Sequence, residues 1–446
     1  MFLKHLSLRM EGIPVFVKSF GCSANMADGE VLTGCLAQAG YQPVDSAEQA
    51  RVVIYNTCAV KGPTEDRLIT LLKRSPPDKK LVVAGCLPLI NFERLQKEVS
   101  FDGVMGPAGG KKIVEVVDRV LHQEDNVIAL NGAEGAKPSL DLPHVRSNPV
   151  VGIVPICYGC LGSCSYCCVN NARGHLRSYN IPEVVERVKS DLSSGVREFW
   201  ITSQDTASYG RDLGVNLSDL LKALDDIPGN FKIRVGMMTP NLAQDILLEL
   251  KDAFRSKKIF KFLHLPVQSG DDDVLKRMQR RYSVKEFKEV VEAFRTTFSN
   301  ITLATDIICG FPGETQEAFG RTLSLMEEVK PDIVNISKFI ARPRTPAEDM
   351  QDEAVPPQEI KRRSGKASNL VKKLTLKKNK QWLNWTGEVL IDEEGTIPGS
   401  WIGRNFAYKP IVVKNINYKD PLGKTLRLKV VKALSTYLEG DPAIKL

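Results

Sequence analysis

Short runs of β-branched residues alternate with helix-patterned stretches along two long segments of this chain. That alternation constrains the fold more than any other feature. In the first segment, residues 14–20, 52–56 and 81–85 read as buried strands with helical stretches between them. In the second, candidate strands cover 151–156, 198–203, 232–237, 261–265, 302–308 and 334–339. Helical patterns cover 182–193, 242–254, 284–294 and 314–328. Strand–helix–strand repeats build parallel sheets with helices on their faces. An α/β multidomain protein is therefore expected, with a Rossmann-like domain over 1–132 and a partial (βα)6 barrel over 149–356. Six units rather than eight leave a side opening that a large substrate can use. Residues 133–148, polar and aperiodic, are expected to be the linker.

The cysteines sit where this architecture places chemistry. Ten cysteines in 446 residues are too few for a disulfide scaffold. No run of ~18 apolar residues encodes a membrane span. The opening MFLKHLSLRMEG is too often interrupted by charge for a signal-peptide core. A cytoplasmic protein is expected, in which clustered cysteines serve metal binding or catalysis. Cys22 in SFGCSAN, Cys58 in YNTCAV and Cys86 in VAGCLP each follow an expected strand, at the edge where α/β sheets bind ligands. A lone core cysteine is an ordinary small hydrophobe. Three at one edge of one sheet point to a shared site.

Five more, Cys157, Cys160, Cys164, Cys167 and Cys168, crowd onto the loop after the first barrel strand. One reading pairs Cys157-x2-Cys160 with Cys164-x2-Cys167 as a compact zinc or ferredoxin-like set. Zinc motifs usually separate their pairs by ~12–20 residues, so that two loops face one ion. The other reading takes Cys160-x3-Cys164-x2-Cys167 with Tyr166 as three ligands of a [4Fe–4S] cluster, leaving one iron open to a substrate. Cys157 then reads as a strand-end thiol, and it or Cys168 remains able to replace a ligand. Cys35 shares a helix face with Val31, Leu32, Leu36 and Ala39, and Cys309 reads as packing. His264 alone among the histidines falls at a barrel strand end, and His175 follows an Ala-Arg-Gly turn; neither has partners at metal spacing.

The net charge of +8 divides unevenly. From residue 357 onward there are 18 Lys/Arg and 8 Asp/Glu, so this end carries +10 and the rest −2. Residues 361–380 hold nine Lys/Arg and no acid. Such a run is usually a solvated helix face. Here it leads, through a connector over 357–380, into short strands and turns over 381–446, the size of an antiparallel oligonucleotide-binding barrel. A basic surface of this kind favours a polyanion through counterion release.

The triad's spacing and place resemble the signature of the radical S-adenosylmethionine (SAM) enzymes. The set GCSANMADGE, NTCAV, GCLGSCSYC, ARGHLRS, ITSQDT, HLPVQSGDDDVLKRMQRRY, TDIICGFPGET and ARPRTPA resembles the methylthiotransferase family over nearly the whole chain. The segment GRNFAYKPIVV is similar to its threonylcarbamoyladenosine branch, archaeal and eukaryotic members included. The resemblance implies that Cys160, Cys164 and Cys167 ligate the cluster that binds SAM. It implies that Cys22, Cys58 and Cys86 hold a second [4Fe–4S] cluster with an open iron. One SAM would methylate sulfur bound there, and another would supply the 5′-deoxyadenosyl radical that activates the substrate carbon. Tyr166 would contact the adenine, and Gln204, Asp205, Gln268, Ser269, Asp306, Gly310 and Glu314 fall in motifs that face SAM. Read as residues alone, Asp205 equally suits a helix N-cap and Glu314 a first-turn carboxylate. Implied partners are tRNA, bound at its anticodon arm through a C-terminal TRAM domain, and an electron donor such as a ferredoxin or flavodoxin; the sulfur donor is unspecified. Isopentenyladenosine in tRNA and a ribosomal-protein aspartate are alternative substrates. A non-catalytic RNA-binding protein with a structural metal is the reading from another class.

Overall fold

Six parallel strands open the structure, ordered β2-β1-β3-β4-β5-β6. They are β1 (Pro14–Ser19), β2 (Gln42–Pro43), β3 (Val52–Thr57), β4 (Lys80–Gly85), β5 (Gly103–Met105) and β6 (Val127–Ala129). β3 is buried at every position, as a Val/Ile-rich strand must be when helices cover both faces of its sheet. Leu32, Leu36, Val116 and Val120 pack on one face and Ile69, Leu72 and Leu95 on the other. This computed structural model describes residues 12–58, 62–122, 124, 126–130, 137–414, 416 and 420–443. Ala59 and Val60 of the NTCAV motif, and residues 131–136, which include the first four of the expected linker, lie outside the described residues.

The described remainder of that linker forms no helix or strand, yet it is tied to the units on either side of it. Val145 N–H donates to the Glu30 carbonyl at 2.9 Å, and His144 Nε2 meets Asp191 Oδ1 at 2.9 Å. It is a strap between two packed units rather than a free tether.

The second segment holds β7 (Val151–Pro155), β8 (Cys157–Tyr158), β9 (Arg177–Ser178), β10 (Glu198–Thr202), β11 (Lys232–Val235), β12 (Phe262–His264), β13 (Thr302–Cys309) and β14 (Ile333–Lys338). Two parallel sheets, β11-β10-β7 and β12-β13-β14, meet through an Ile233–Ile259 bridge, giving an open six-stranded barrel. The helix expected over 242–254 is instead two, Pro240–Asp245 and Leu247–Ala253. Ile246, at φ −122° and ψ 25°, leaves the helical well and interrupts the ladder.

The basic run forms one 24-residue helix, Pro357–Lys380. Beyond it, β15 (Thr386–Glu394), β16 (Ser400–Arg404), β17 (Pro410–Lys414), β18 (Thr425–Ala433) and β19 (Leu438–Pro442) close in the order β15-β16-β17-β19-β18. The expected antiparallel barrel contains one parallel pair, β17 with β19. Five strands in a closed ring cannot all alternate direction, so one parallel neighbour is unavoidable.

The loop between β16 and β17 plugs the amino end of the open barrel. Tyr408 packs on Phe260 and Phe262, with ring centroids 4.8 and 5.1 Å away, and its hydroxyl donates to Glu198. Buried Lys409 binds Asp332 at 2.8 Å and the Asn379 side chain at 3.0 Å. With that end sealed, the carboxyl ends of the strands are left for ligands.

Candidate active site

Cys22, Cys58, Cys86, Cys160, Cys164 and Cys167 all line one cavity of about 520 Å³. It lies beyond the carboxyl ends of the strands of the six-stranded sheet and of the open barrel. The first three follow β1, β3 and β4, and the last three lie on the loop after β7.

One asparagine ties the first three loops together. Asn25 Nδ2 donates to the carbonyls of Phe20 (2.7 Å), Asn56 (3.1 Å) and Thr57 (3.4 Å), joining the chain before Cys22 to the chain before Cys58. Asn56 Nδ2 returns a bond to the Asn25 carbonyl at 2.6 Å. Cys86 N–H donates to the Thr57 carbonyl at 2.9 Å and brings in the third loop. Two glycines allow this approach. A Cβ on Gly21 (φ +104°) would sit 2.4 Å from Cys58 Cβ, and one on Gly85 (φ +94°) would sit 2.4 Å from the Thr57 carbonyl oxygen.

The later triad is held differently. β8 and β9 pair and close the base of its loop. Ser165 anchors the middle: its hydroxyl donates to the Arg277 carbonyl (2.8 Å) and its N–H to the Met278 carbonyl (3.1 Å). Gly162 N–H donates to Cys160 Sγ at 3.2 Å. Tyr166 meets Phe311 edge-on at 6.5 Å, which fixes its ring at the cavity wall.

Burial governs the thiols. It pushes Cys86 up to about 12, opposed by the Arg173 charge, and Cys160 up to about 11, opposed by the Gly162 N–H. Cys167 rises by burial as well, reinforced by Cys164. Cysteines of this kind must lose protons to bind metal. A single zinc needs four ligands converging at about 2.0–2.3 Å. Two sets of three sulfur donors around one cavity suit iron–sulfur clusters with incomplete protein ligation.

Gln204, Asp205 and Gln268 also line the cavity. Gln204 Oε1 is buried without a partner, an acceptor left for a ligand. Asp205 does cap the 3-10 turn Thr206–Ser208, accepting from Ala207 N at 3.1 Å, and also accepts from Thr239 N at 3.2 Å. Burial raises its carboxyl, and the Thr239 bonds oppose the rise. Gln268 keeps φ +68°, held by main-chain bonds to Asp306 and Ile308 on β13. Such strain in a cavity wall is characteristic of ligand sites.

Ser269, Asp306, Gly310 and Glu314 do not line the cavity. Glu314 Oε2 accepts from Gly310 N at 2.8 Å and from Arg363 Nη1 of the basic helix at 2.7 Å. Ile360 packs on Gly310. Asp306 on β13 binds His264 and Asn335 on the two neighbouring strands, and Ser269 is buried near Thr322. Cys157 and Cys168 are buried and do not line the cavity. Cys35 and Cys309 pack in the cores. Of the four arginines that line the cavity, none was singled out by sequence, though Arg173 and Arg280 lie in quoted motifs. Arg280 Nη1 donates to Cys164 Sγ at 3.3 Å, and Arg173 stands beside the early cysteines.

An open parallel barrel with a cysteine triad on its first loop, facing a second triad, defines a radical SAM enzyme with an additional cysteine site. Residues 154–326 match the Radical SAM superfamily, 14–106 the Uncharacterized protein family UPF0004, and 385–443 the TRAM domain. The probable threonylcarbamoyladenosine tRNA methylthiotransferase of Methanothermobacter thermautotrophicus is 39% identical over 97% of this chain and 100% of its own length. The Homo sapiens threonylcarbamoyladenosine tRNA methylthiotransferase is 36% identical over 96% of this chain and 74% of its own. The fold also resembles the radical SAM methyltransferase TsrM of Kitasatospora setae. The TM-score is 0.54 at 14% identity, covering 92% of this chain and 84% of that one. The chain belongs to the threonylcarbamoyladenosine tRNA methylthiotransferase family. It is a radical SAM methylthiotransferase whose cofactors are [4Fe–4S] clusters and SAM. Among the described residues no helix is long and apolar enough to cross a membrane.

Proposed function

We propose that this enzyme adds a methylthio group to carbon 2 of N6-threonylcarbamoyladenosine beside the anticodon of tRNA, in the cytoplasm. The observation that carries the reading is the convergence of two cysteine triads on one cavity. Cys160, Cys164 and Cys167 hold the cluster that binds SAM, and Cys22, Cys58 and Cys86 hold the second. When bound, these groups supply a radical from one SAM, a methyl group from another and a sulfur to transfer, with electrons from a ferredoxin or flavodoxin. Gln204 and Asp205 offer acceptors to SAM, Tyr166 a ring for its adenine, and Gln268 a fixed wall. Arg280 places its guanidinium charge against Cys164 Sγ. Ile90, Leu161, Val169 and Leu242 make part of the cavity wall apolar. Glu314, Gly310 and Asp306 act through positioning, by docking the basic helix and tying the barrel strands.

The domains divide as 1–132, 149–356 and 381–446, with joining segments 133–148 and 357–380. The basic helix favours tRNA over a protein substrate. Its Arg363 reaches Glu314 near the carboxyl end of β13, and its Asn379 reaches Lys409 in the plug. Over about 36 Å it therefore spans the barrel, with Lys361, Arg362, Lys366, Lys372, Lys373, Lys377 and Lys380 exposed. Phosphates can follow such a track from the site to the C-terminal barrel. Mass spectrometry of tRNA nucleosides tests the reading. Cys58→Ser should keep SAM cleavage but abolish methylthiolation, and Cys164→Ser should abolish both. Methylthiolated tRNA from the Cys58 variant would overturn the role of the second triad.

A further inference from the structure

Arg173 carries a donor that the protein itself does not use. Its side chain is 2% exposed, and Nη2 donates to Asp28 Oδ2 at 2.7 Å and Asn25 Oδ1 at 3.3 Å. Asp28 is in turn held by the Tyr158 hydroxyl, and the guanidinium lies 5.5 Å from the Tyr158 ring centroid. Nη1, by contrast, is buried with no hydrogen-bond partner. A native protein seldom strands a charged N–H in its interior without a ligand for it. The residue lines the same cavity as Cys22, Cys58 and Cys86, and its charge acts on Cys86 and Cys22.

We propose that Arg173 is a positioning residue that holds an anionic sulfur ligand, hydrosulfide or a small thiolate, against the Cys22/Cys58/Cys86 site. This assignment rests on the two-cluster reading above. Three thiolates around a cluster already make a buried anionic assembly, and a further sulfur anion adds to that charge. A buried charge needs a paired and hydrogen-bonded counter-charge. The planar guanidinium supplies both: one edge is fixed by Asp28, and the rest of the fork is aimed elsewhere. Binding is ligand exchange at the open metal position and consumes no electron. A lysine could match the charge but not the fork.

The test uses the full chain with its clusters reconstituted, titrated anaerobically with sodium hydrosulfide. Binding is followed by the electron paramagnetic resonance signal of the reduced second cluster. Wild type and Arg173→Gln should both hold about eight irons. The glutamine variant should bind hydrosulfide about 10- to 100-fold more weakly, the loss of one charge-assisted hydrogen bond. Arg173→Lys should fall between them. Unchanged hydrosulfide affinity in Arg173→Gln, even with a shifted reduction potential, overturns the proposal, because the donor then serves the cluster alone. A wild type holding only about four irons instead overturns the two-cluster reading. If Arg173→Gln fails to fold around a stranded Asp28, the Asp28→Asn/Arg173→Gln double variant removes that charge, and unchanged affinity there overturns the proposal equally.

Discussion

Gly21→Ala isolates the second cysteine site with a single methyl group. The residue sits at φ +104°, and the new Cβ would lie 2.4 Å from Cys58 Cβ and 2.8 Å from its Sγ, where ordinary contact begins at 3.4 Å. The left-handed backbone costs about 1–2 kcal/mol for a residue with a Cβ. Overpacking in a tight site costs a further ~1–3 kcal/mol. A total of about 2–5 kcal/mol is within what a domain with ~5–15 kcal/mol of stability can absorb. The fold should survive, but Cys58 must retreat by about 1 Å, well beyond the ~0.2 Å that metal–ligand distances tolerate. Reconstituted protein should therefore fall from about eight irons to about four. It should still form 5′-deoxyadenosine from SAM and should no longer methylthiolate tRNA. Gly320→Ala is the control: nothing lies within 4 Å of its added Cβ, and its helix should gain slightly. A Gly21→Ala protein with full iron content and normal turnover would refute the argument that close approach of these loops builds the site.

Two further predictions concern the plug that closes the barrel. Lys409→Met strands buried Asp332 without its partner and should cost about 3–5 kcal/mol, read as a lower melting temperature; much of it should return in the Asp332→Asn/Lys409→Met double variant, and a neutral single variant would refute the pairing. Burial, with nearby Asp392, pushes Glu198 up to about 8 from an ordinary 4.5, so the folded protein holds this proton more tightly than the unfolded chain. Its contribution to stability is thus complete below pH about 4.5 and is lost as pH rises through about 8. Glu198→Gln keeps Oε1 to accept from Trp200 and Tyr408 and should flatten that part of the melting-temperature profile; a difference from wild type that does not vary with pH would contradict it.

Much of this protein is written locally. Side-chain period sets strands and helices, so the alternation in the sequence carries both parallel sheets and their order along the chain. Strand ends are local too, which is why Cys22, Cys58 and Cys86 could be placed at one edge, and the spacing of Cys160, Cys164 and Cys167 could be read as a triad. The charge division located the basic helix. What the sequence leaves open is contact between distant segments. Glu314 and Gly310 lie in a motif expected to face SAM, yet they dock Arg363 and Ile360 of a helix that begins some forty residues later. The GRNFAYKPIVV segment, legible only as a resemblance, proved to be the plug of the barrel, because Tyr408 and Lys409 find partners on three other elements. Asp28 and Tyr158 bond across 130 residues, and that pair orients Arg173 toward the cysteines. Local period and spacing determined which residues carry the chemistry. Only packing between the two sheets, which no local pattern encodes, brought the two triads to one cavity and left a buried arginine facing it.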